Sequence, residues 1–285
     1  MIVSNGQRPN IRVIPRLDIK GSNLVKGIHL EGLRVLGQPA DFARAYYFEG
    51  ADELLFVDIV ASLYQRNQLL PLILDTAKEM YIPLTVAGGL RSLDDIRSVL
   101  RAGADKAALN TAAIRRPDLI TEAALAFGSS TVVVSIEAKK QPDGSYEAYT
   151  DCGRERTGRE VVAWAREAET RGAGEILITS IDREGTGSGF DIGLVESIAN
   201  AVSVPIVASG GAGKKEDVVD LVETADVSGV AIASILHYDF ISRPEAKQPP
   251  AVSFSRIAPA PMAHIKHALV AAGCPTRSRR AQALQ

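Results

Sequence analysis

Short apolar runs of strand length recur along this chain, separated by stretches of helical period. The runs cover residues 11–18, 51–58, 82–87, 106–109, 131–137, 175–180, 205–209 and 229–233. They are rich in β-branched and other apolar residues and too brief for helices, as expected of strands buried on both faces. Between them, residues 40–48, 93–100, 118–127, 158–170 and 215–222 read as amphipathic helices. Strands alternating with helices predict parallel β-structure with right-handed crossovers. Eight strands is also the number that closes a barrel.

The chain repeats itself at half-length. Ile82-Pro83-Leu84-Thr85-Val86-Ala87-Gly88-Gly89 matches Val204-Pro205-Ile206-Val207-Ala208-Ser209-Gly210-Gly211, and Glu49-Gly50-Ala51-Asp52-Glu53-Leu54 matches Arg171-Gly172-Ala173-Gly174-Glu175-Ile176. The offset stays at about 120 residues, so four βα units are duplicated rather than a short repeat being stacked. A doubly wound open sheet is the structural alternative, but it has no reason to repeat at half-length. The expected fold is therefore α/β, a single (βα)8 TIM barrel of two duplicated half-barrels over residues 1–240. Past Phe240, residues 241–261 carry Pro244, Pro249, Pro250, Pro259 and Pro261 and read as an insertion without helix. Residues 262–275 read as a last barrel helix, stopped by Gly273 and Pro275. The basic, polar segment 276–285 is expected to be a disordered tail.

At 285 residues the chain has the size of one such barrel. Its 32 Lys and Arg against 34 Asp and Glu leave no electrostatic footprint for nucleic acid or an anionic membrane. Any phosphate site must therefore be local. Cys152 and Cys274 are too few for a disulfide scaffold, which suits a reducing compartment. No apolar leader core occurs in residues 1–10, and no window approaches the ~20 apolar residues of a membrane span. A cytoplasmic location is expected. His29, His237, His264 and His267 are scattered and predict no metal site. With no Walker A lysine pattern or Rossmann fingerprint, neither a P-loop nor NAD is supported, and no cofactor is expected.

Two kinds of feature carry candidate chemistry. Gly88-Gly89 and Gly210-Gly211 each follow a strand, where glycines bring backbone N–H groups close to an anion or simply make a tight turn. One strand further on, each half presents small polar residues, Asn110-Thr111 in the first and Ser234, after Ala233, in the second. Two such places in duplicated halves suggest a long substrate with a phosphate at each end. The loop Asp182-Arg183-Glu184-Gly185-Thr186-Gly187 could clamp phosphate or ribose, or simply move. The second feature is a pair of acids, Asp18 and Glu137, closing opposed strands, each followed two residues later by a lysine. A pair across a mouth suits general acid/base work, one group delivering a proton while the other removes one. A salt bridge to Lys20 or Lys139 is the plain alternative. Lys26, in the loop after the first strand, reads from spacing as solvated.

Leu17-Asp18-Ile19-Lys20, Val25-Lys26-Gly27, Gly103-Ala104-Asp105-Lys106, Thr179-Ser180-Ile181-Asp182-Arg183-Glu184-Gly185-Thr186 and Ala208-Ser209-Gly210-Gly211 resemble the HisF family, the cyclase subunit of imidazole glycerol phosphate synthase. The resemblance implies a (βα)8 barrel that uses ammonia from a HisH-like glutamine amidotransferase to cleave and cyclise a bis-phosphorylated aminoimidazole carboxamide ribonucleotide. It implies an acid/base pair at Asp18 and Glu137, a loop lysine at Lys26, and phosphate contacts at Gly89, Asn110, Thr111, Gly185, Gly211, Ala233 and Ser234. It further implies an ammonia gate of Arg12, Glu53, Lys106 and Glu175 at the barrel bottom, with the glutaminase docked below as a heterodimer. The chain departs from the family at Glu137, where the family has aspartate, at Arg16, where it usually has cysteine, and at Gly21-Ser22-Asn23, where it has Asp-Gly-Arg. Gly32-Leu33-Arg34-Val35-Leu36-Gly37 and Ser135-Ile136-Glu137-Ala138 look more like the WbuZ-type glycosyl amidation branch. That likeness would instead imply ammonia delivery to a sugar amidotransferase in surface-polysaccharide synthesis.

Overall fold

The architecture comes from a computed structural model that describes residues 10–61, 69–243 and 256–277. The first half carries β1 (Arg12–Lys20), β2 (Asn23–Ile28), β3 (Glu31–Gly37), α1 (Pro39–Phe48), β4 (Leu54–Asp58), α2 (Leu70–Glu79), β5 (Leu84–Ala87), α3 (Leu93–Arg101), β6 (Lys106–Leu109), α4 (Thr111–Arg115) and α5 (Asp118–Phe127). The second half carries β7 (Val132–Lys140), β8 (Tyr146–Thr150), β9 (Glu155–Glu160), α6 (Val161–Thr170), β10 (Glu175–Ser180), α7 (Ile192–Ala199), β11 (Ile206–Ser209), α8 (Lys215–Thr224), β12 (Gly229–Ile232) and α9 (Ser234–Ile241). Helix α10 (Met262–Ala271) follows. The order β1-β4-β5-β6-β7-β10-β11-β12 returns to β1 with every neighbour parallel, so the sheet closes as an eight-strand barrel.

Strand periodicity divides the side chains between two environments. Val13, Leu17 and Ile19 of β1 point outward into the main core beneath the helices. Ile14, Leu55, Ala87, Ala108, Val133, Leu177, Val207 and Ala231, one from each barrel strand, meet inside as a separate apolar layer. Two residues before four members of that layer stand Arg12, Glu53, Lys106 and Glu175, at or beside the strand starts. Two residues after it stand Arg16, Ser135, Thr179 and Ser209, and two further on β1 and β7 stand Asp18 and Glu137. The lumen is thus layered: charged at the bottom, apolar in the middle, polar at the mouth.

The two acids do not end their strands, as the sequence pattern suggests. Strands β1 and β7 run on to Lys20 and Lys140, because each continues as an antiparallel hairpin (Ile19 against Leu24, Glu137 against Tyr149). These excursions, β2–β3 and β8–β9, repeat the duplication in a form that the apolar pattern does not reveal. Among the described residues, the four non-glycine residues with positive φ fall at corresponding places in them: His29 and Leu30 at 52° and 64°, Asp151 and Cys152 at 53° and 58°. Residues 158–160, expected to begin a helix, complete β9, and the helix starts at Val161.

Of the expected insertion, 244–255 lies outside the described residues, as do 1–9 and the tail from 278 onward. Helix α9 continues through Ile241, and residues 256–261 have no helix or strand. They return against the second half, with Ala258 N–H donating to the Gly213 carbonyl at 2.7 Å. Among the described residues no helix is long and apolar enough to cross a membrane.

Candidate active site

At the mouth, β1 and β2 bring Arg16, Asp18 and Lys26 together. Arg16 Nε donates to Asp18 Oδ1 at 2.9 Å, and Lys26 Nζ stands 4.0 Å from Asp18 Oδ2 while pairing directly with Glu184. All four side chains are buried. Lys26 is therefore not the solvated loop lysine that its spacing suggests. It lies in β2, whose hairpin folds it inward over the mouth. Burial opposes the charge on Arg16, yet Asp18, Glu184 and Glu137 outweigh it and raise the guanidinium pKa. Burial alone would also raise Glu184, but Lys26 and Arg16 overcome it and hold that carboxyl low.

Opposite, Glu137 is buried, and its Oε2 accepts from Gly153 N–H at 2.8 Å. Desolvation pushes its pKa up to about 7, against the opposing pull of Arg16 and the Gly153 amide. A carboxyl there can hold or release a proton near neutrality. Glu137 also lines a cavity of about 360 Å3 with Gly88, Gly89, Asn110, Thr111 and Ser135. The buried Asn110 Oδ1 has no hydrogen-bond partner, and its amide can turn to present either end to a bound group. One phosphate-type turn and one acid are thereby joined in a single space.

The equivalent turn of the second half is tightly packed. Gly211 has φ near 113°, and a Cβ there would lie 2.1 Å from the Gly189 carbonyl oxygen. A Cβ on Gly185 would lie 2.3 Å from that of Gly27. Both glycines thus permit close backbone approach whether or not a ligand binds. Glu184 sits beside Gly210, where a Cβ would stand 3.3 Å from its Oε2. The halves still share an unusual backbone, with Asn110 at φ −125°, ψ −90° and Ala233 at φ −120°, ψ −76°, each opening a helix. Asp182 spends one carboxylate oxygen on Lys140 N–H at 2.8 Å.

At the other end of the lumen the four charges form a closed ring. Arg12 pairs with Glu53 at 2.7 Å and with Glu175, and Lys106 reaches Glu53 at 3.1 Å and Glu175 at 2.8 Å.

Comparisons with known proteins fit this geometry. Residues 12–242 match the family described as histidine biosynthesis protein. The imidazole glycerol phosphate synthase subunit HisF of Legionella pneumophila is 58% identical over 208 residues, covering 73% of this chain and 98% of that protein. Those of Gluconacetobacter diazotrophicus and Alkaliphilus metalliredigens are 50% and 44% identical, each covered over more than nine-tenths of its length. The chain belongs to the HisF family of histidine biosynthesis proteins. None of these relatives bears a sugar-amidation name.

Within this HisF barrel, several mouth residues escape sequence reasoning. Glu184 was visible only as part of a glycine-rich loop, and nothing local marks it as the partner of Lys26. Arg91, Arg115 and Arg116 line the cavity and supply its cations. Arg91 directly follows Gly88-Gly89-Leu90, a cue that its lack of a counterpart in the second half obscures. His237 is fully buried, with Nε2–H donating to the Arg16 carbonyl at 3.0 Å and Nδ1 accepting from Tyr46 Oη–H at 2.6 Å. Burial holds its pKa down at about 3, so the imidazole is a neutral bracket behind β1. Among the described residues no cluster of His, Cys, Asp or Glu could hold a metal.

Proposed function

We propose that this chain is the cyclase subunit of an imidazole glycerol phosphate synthase. It takes ammonia from a HisH-like glutaminase docked below the charge ring, and cleaves and cyclises a bis-phosphorylated aminoimidazole carboxamide ribonucleotide. The observation that carries this reading is the facing pair at the mouth: Glu137 with its pKa near 7, opposite Asp18 held between Arg16 and Lys26. Glu137 serves as the general acid, delivering a proton to the group that leaves as ammonia adds. The Asp18 carboxylate opposite receives the proton shed by the incoming nitrogen. The turn at Gly89, Asn110 and Thr111 binds one phosphate, with Arg91, Arg115 and Arg116 as local cations. The turn at Gly185, Gly210, Gly211, Ala233 and Ser234 binds the other.

The test is turnover of the ribonucleotide by purified protein supplied with ammonium salt at mildly alkaline pH, reading release of aminoimidazole carboxamide ribonucleotide. Turnover is expected. A folded protein that binds the ribonucleotide but leaves it intact overturns the cyclase reading.

A further inference from the structure

Arg16 lies between the apolar layer of the lumen and the two acids. It projects inward from β1, and its Nη1 reaches Thr179 Oγ1 on β10 at 3.1 Å and Ser209 Oγ on β11 at 3.2 Å. Because β12 lies between β1 and β11 in the barrel, the side chain spans the lumen above β12. The apolar layer below has two thin places, where alanine replaces larger side chains. One is Ala231 on β12, and the other is the adjacent pair Ala87 and Ala108 on β5 and β6. Arg16 roofs the first. The second is left uncovered and forms part of the floor of the cavity that holds Glu137.

We infer that Arg16 is a positioning residue, a crossbar that closes one half of the lumen exit and directs ammonia to the Glu137 side. The inference rests on the proposed cyclase function. A small neutral molecule rising through the apolar layer needs only a transient gap between side chains. A gap above Ala231 would release it beneath the guanidinium, away from the acid. A gap above Ala87 and Ala108 releases it into the cavity beside Glu137. Three hydrogen bonds, to Asp18, Thr179 and Ser209, hold the bar in place.

The test uses the chain with its glutaminase subunit, fed either glutamine or ammonium chloride. In Thr179→Val/Ser209→Ala, Arg16 keeps its bond to Asp18 but loses its far anchors. The KM for ammonia should rise at least threefold, with kcat at saturating ammonia within twofold of the parent. Glutamate formed per ribonucleotide consumed should rise clearly above the parental ratio. Arg16→Lys, which keeps the charge without the reach, should raise the KM for ammonia and the glutamate ratio too, and its kcat should also fall because Arg16 holds Asp18. A merely structural role would lower thermal stability and kcat without moving the KM for ammonia. An unchanged KM for ammonia and an unchanged ratio in both folded variants, whatever their kcat, overturns the crossbar alone. Absence of turnover by the parent with either nitrogen source overturns the cyclase reading and the crossbar with it.

Discussion

Glu137 is the residue on which most depends. Its pKa of about 7 lies above the ordinary 4.5 because burial penalises the carboxylate, so the folded protein binds this proton more tightly than the unfolded chain. The stability this contributes is fully present below pH 4.5 and is lost as pH rises through 7. At pH 8 the shift corresponds to about 3 kcal/mol, an order-of-magnitude figure. Glu137→Gln cannot ionise. It should therefore melt higher than the parent at pH 8 and close to it at pH 5, while turnover falls about 10²–10⁴-fold. As a general acid, Glu137 also predicts that kcat/KM, expressed per free ammonia, falls as pH passes 7 and that Glu137→Gln lacks this inflection. A rate rising through 7 would assign the residue to the opposite proton transfer. The two acids were legible in the sequence because each closes an apolar run at a matched place in the duplicated halves. The identity of their partners was not, since Arg16, Lys26 and Glu184 meet only after β1, β2 and the loop beyond β10 have folded together.

The elements that complete the site are the two hairpins, and they explain why part of it was hidden. An apolar run announces a barrel strand because both its faces are buried. β3 and β9 are mostly exposed or half-buried and carry glycines, so they read as loop. Once formed, the hairpins cross the mouth. Leu30 from one and Tyr149 from the other pack against Ile181, while Asp151 N–H donates to Thr111 Oγ1 at 3.1 Å. Gly153 is the critical position, because its N–H holds Glu137 and its φ is near 74°. A Cβ there would lie 3.2 Å from both Ile181 Cδ1 and Leu30 Cδ1. Gly153→Ala should cost about 1–2 kcal/mol for the left-handed backbone. It should also displace the amide from Glu137. That amide favours the ionised carboxyl, so its loss should move the pH inflection of kcat/KM upward. An inflection that stays in place, with reduced stability, would show that the hairpin only packs against the acid.

On the scale of the whole molecule, the period-two layering separates the charge ring at the bottom of the lumen from the acids at the mouth. Arg12 of the ring and Arg16 lie on the same strand, four residues apart, about 13 Å along it. A change confined to the ring should therefore alter the route of ammonia while leaving the reaction at the mouth untouched. Lys106→Met is the suitable probe, because Glu53 keeps Arg12 and Thr85 Oγ1, and Glu175 keeps Arg12. Neither carboxylate is left without a partner, and the half-buried ring should lose about 1–3 kcal/mol, less than a fully buried pair would. Turnover driven by ammonium salt should stay within about twofold of the parent, since nothing at the mouth has moved. Glutamine-driven turnover should lose its coupling, read as glutamate formed in excess of ribonucleotide consumed. Equal losses with both nitrogen sources would mean that the ring acts through the stability of the barrel and not through what passes it. Alternating charges at strand starts can stabilise a barrel in their own right, and only the comparison of the two nitrogen sources separates that service from gating.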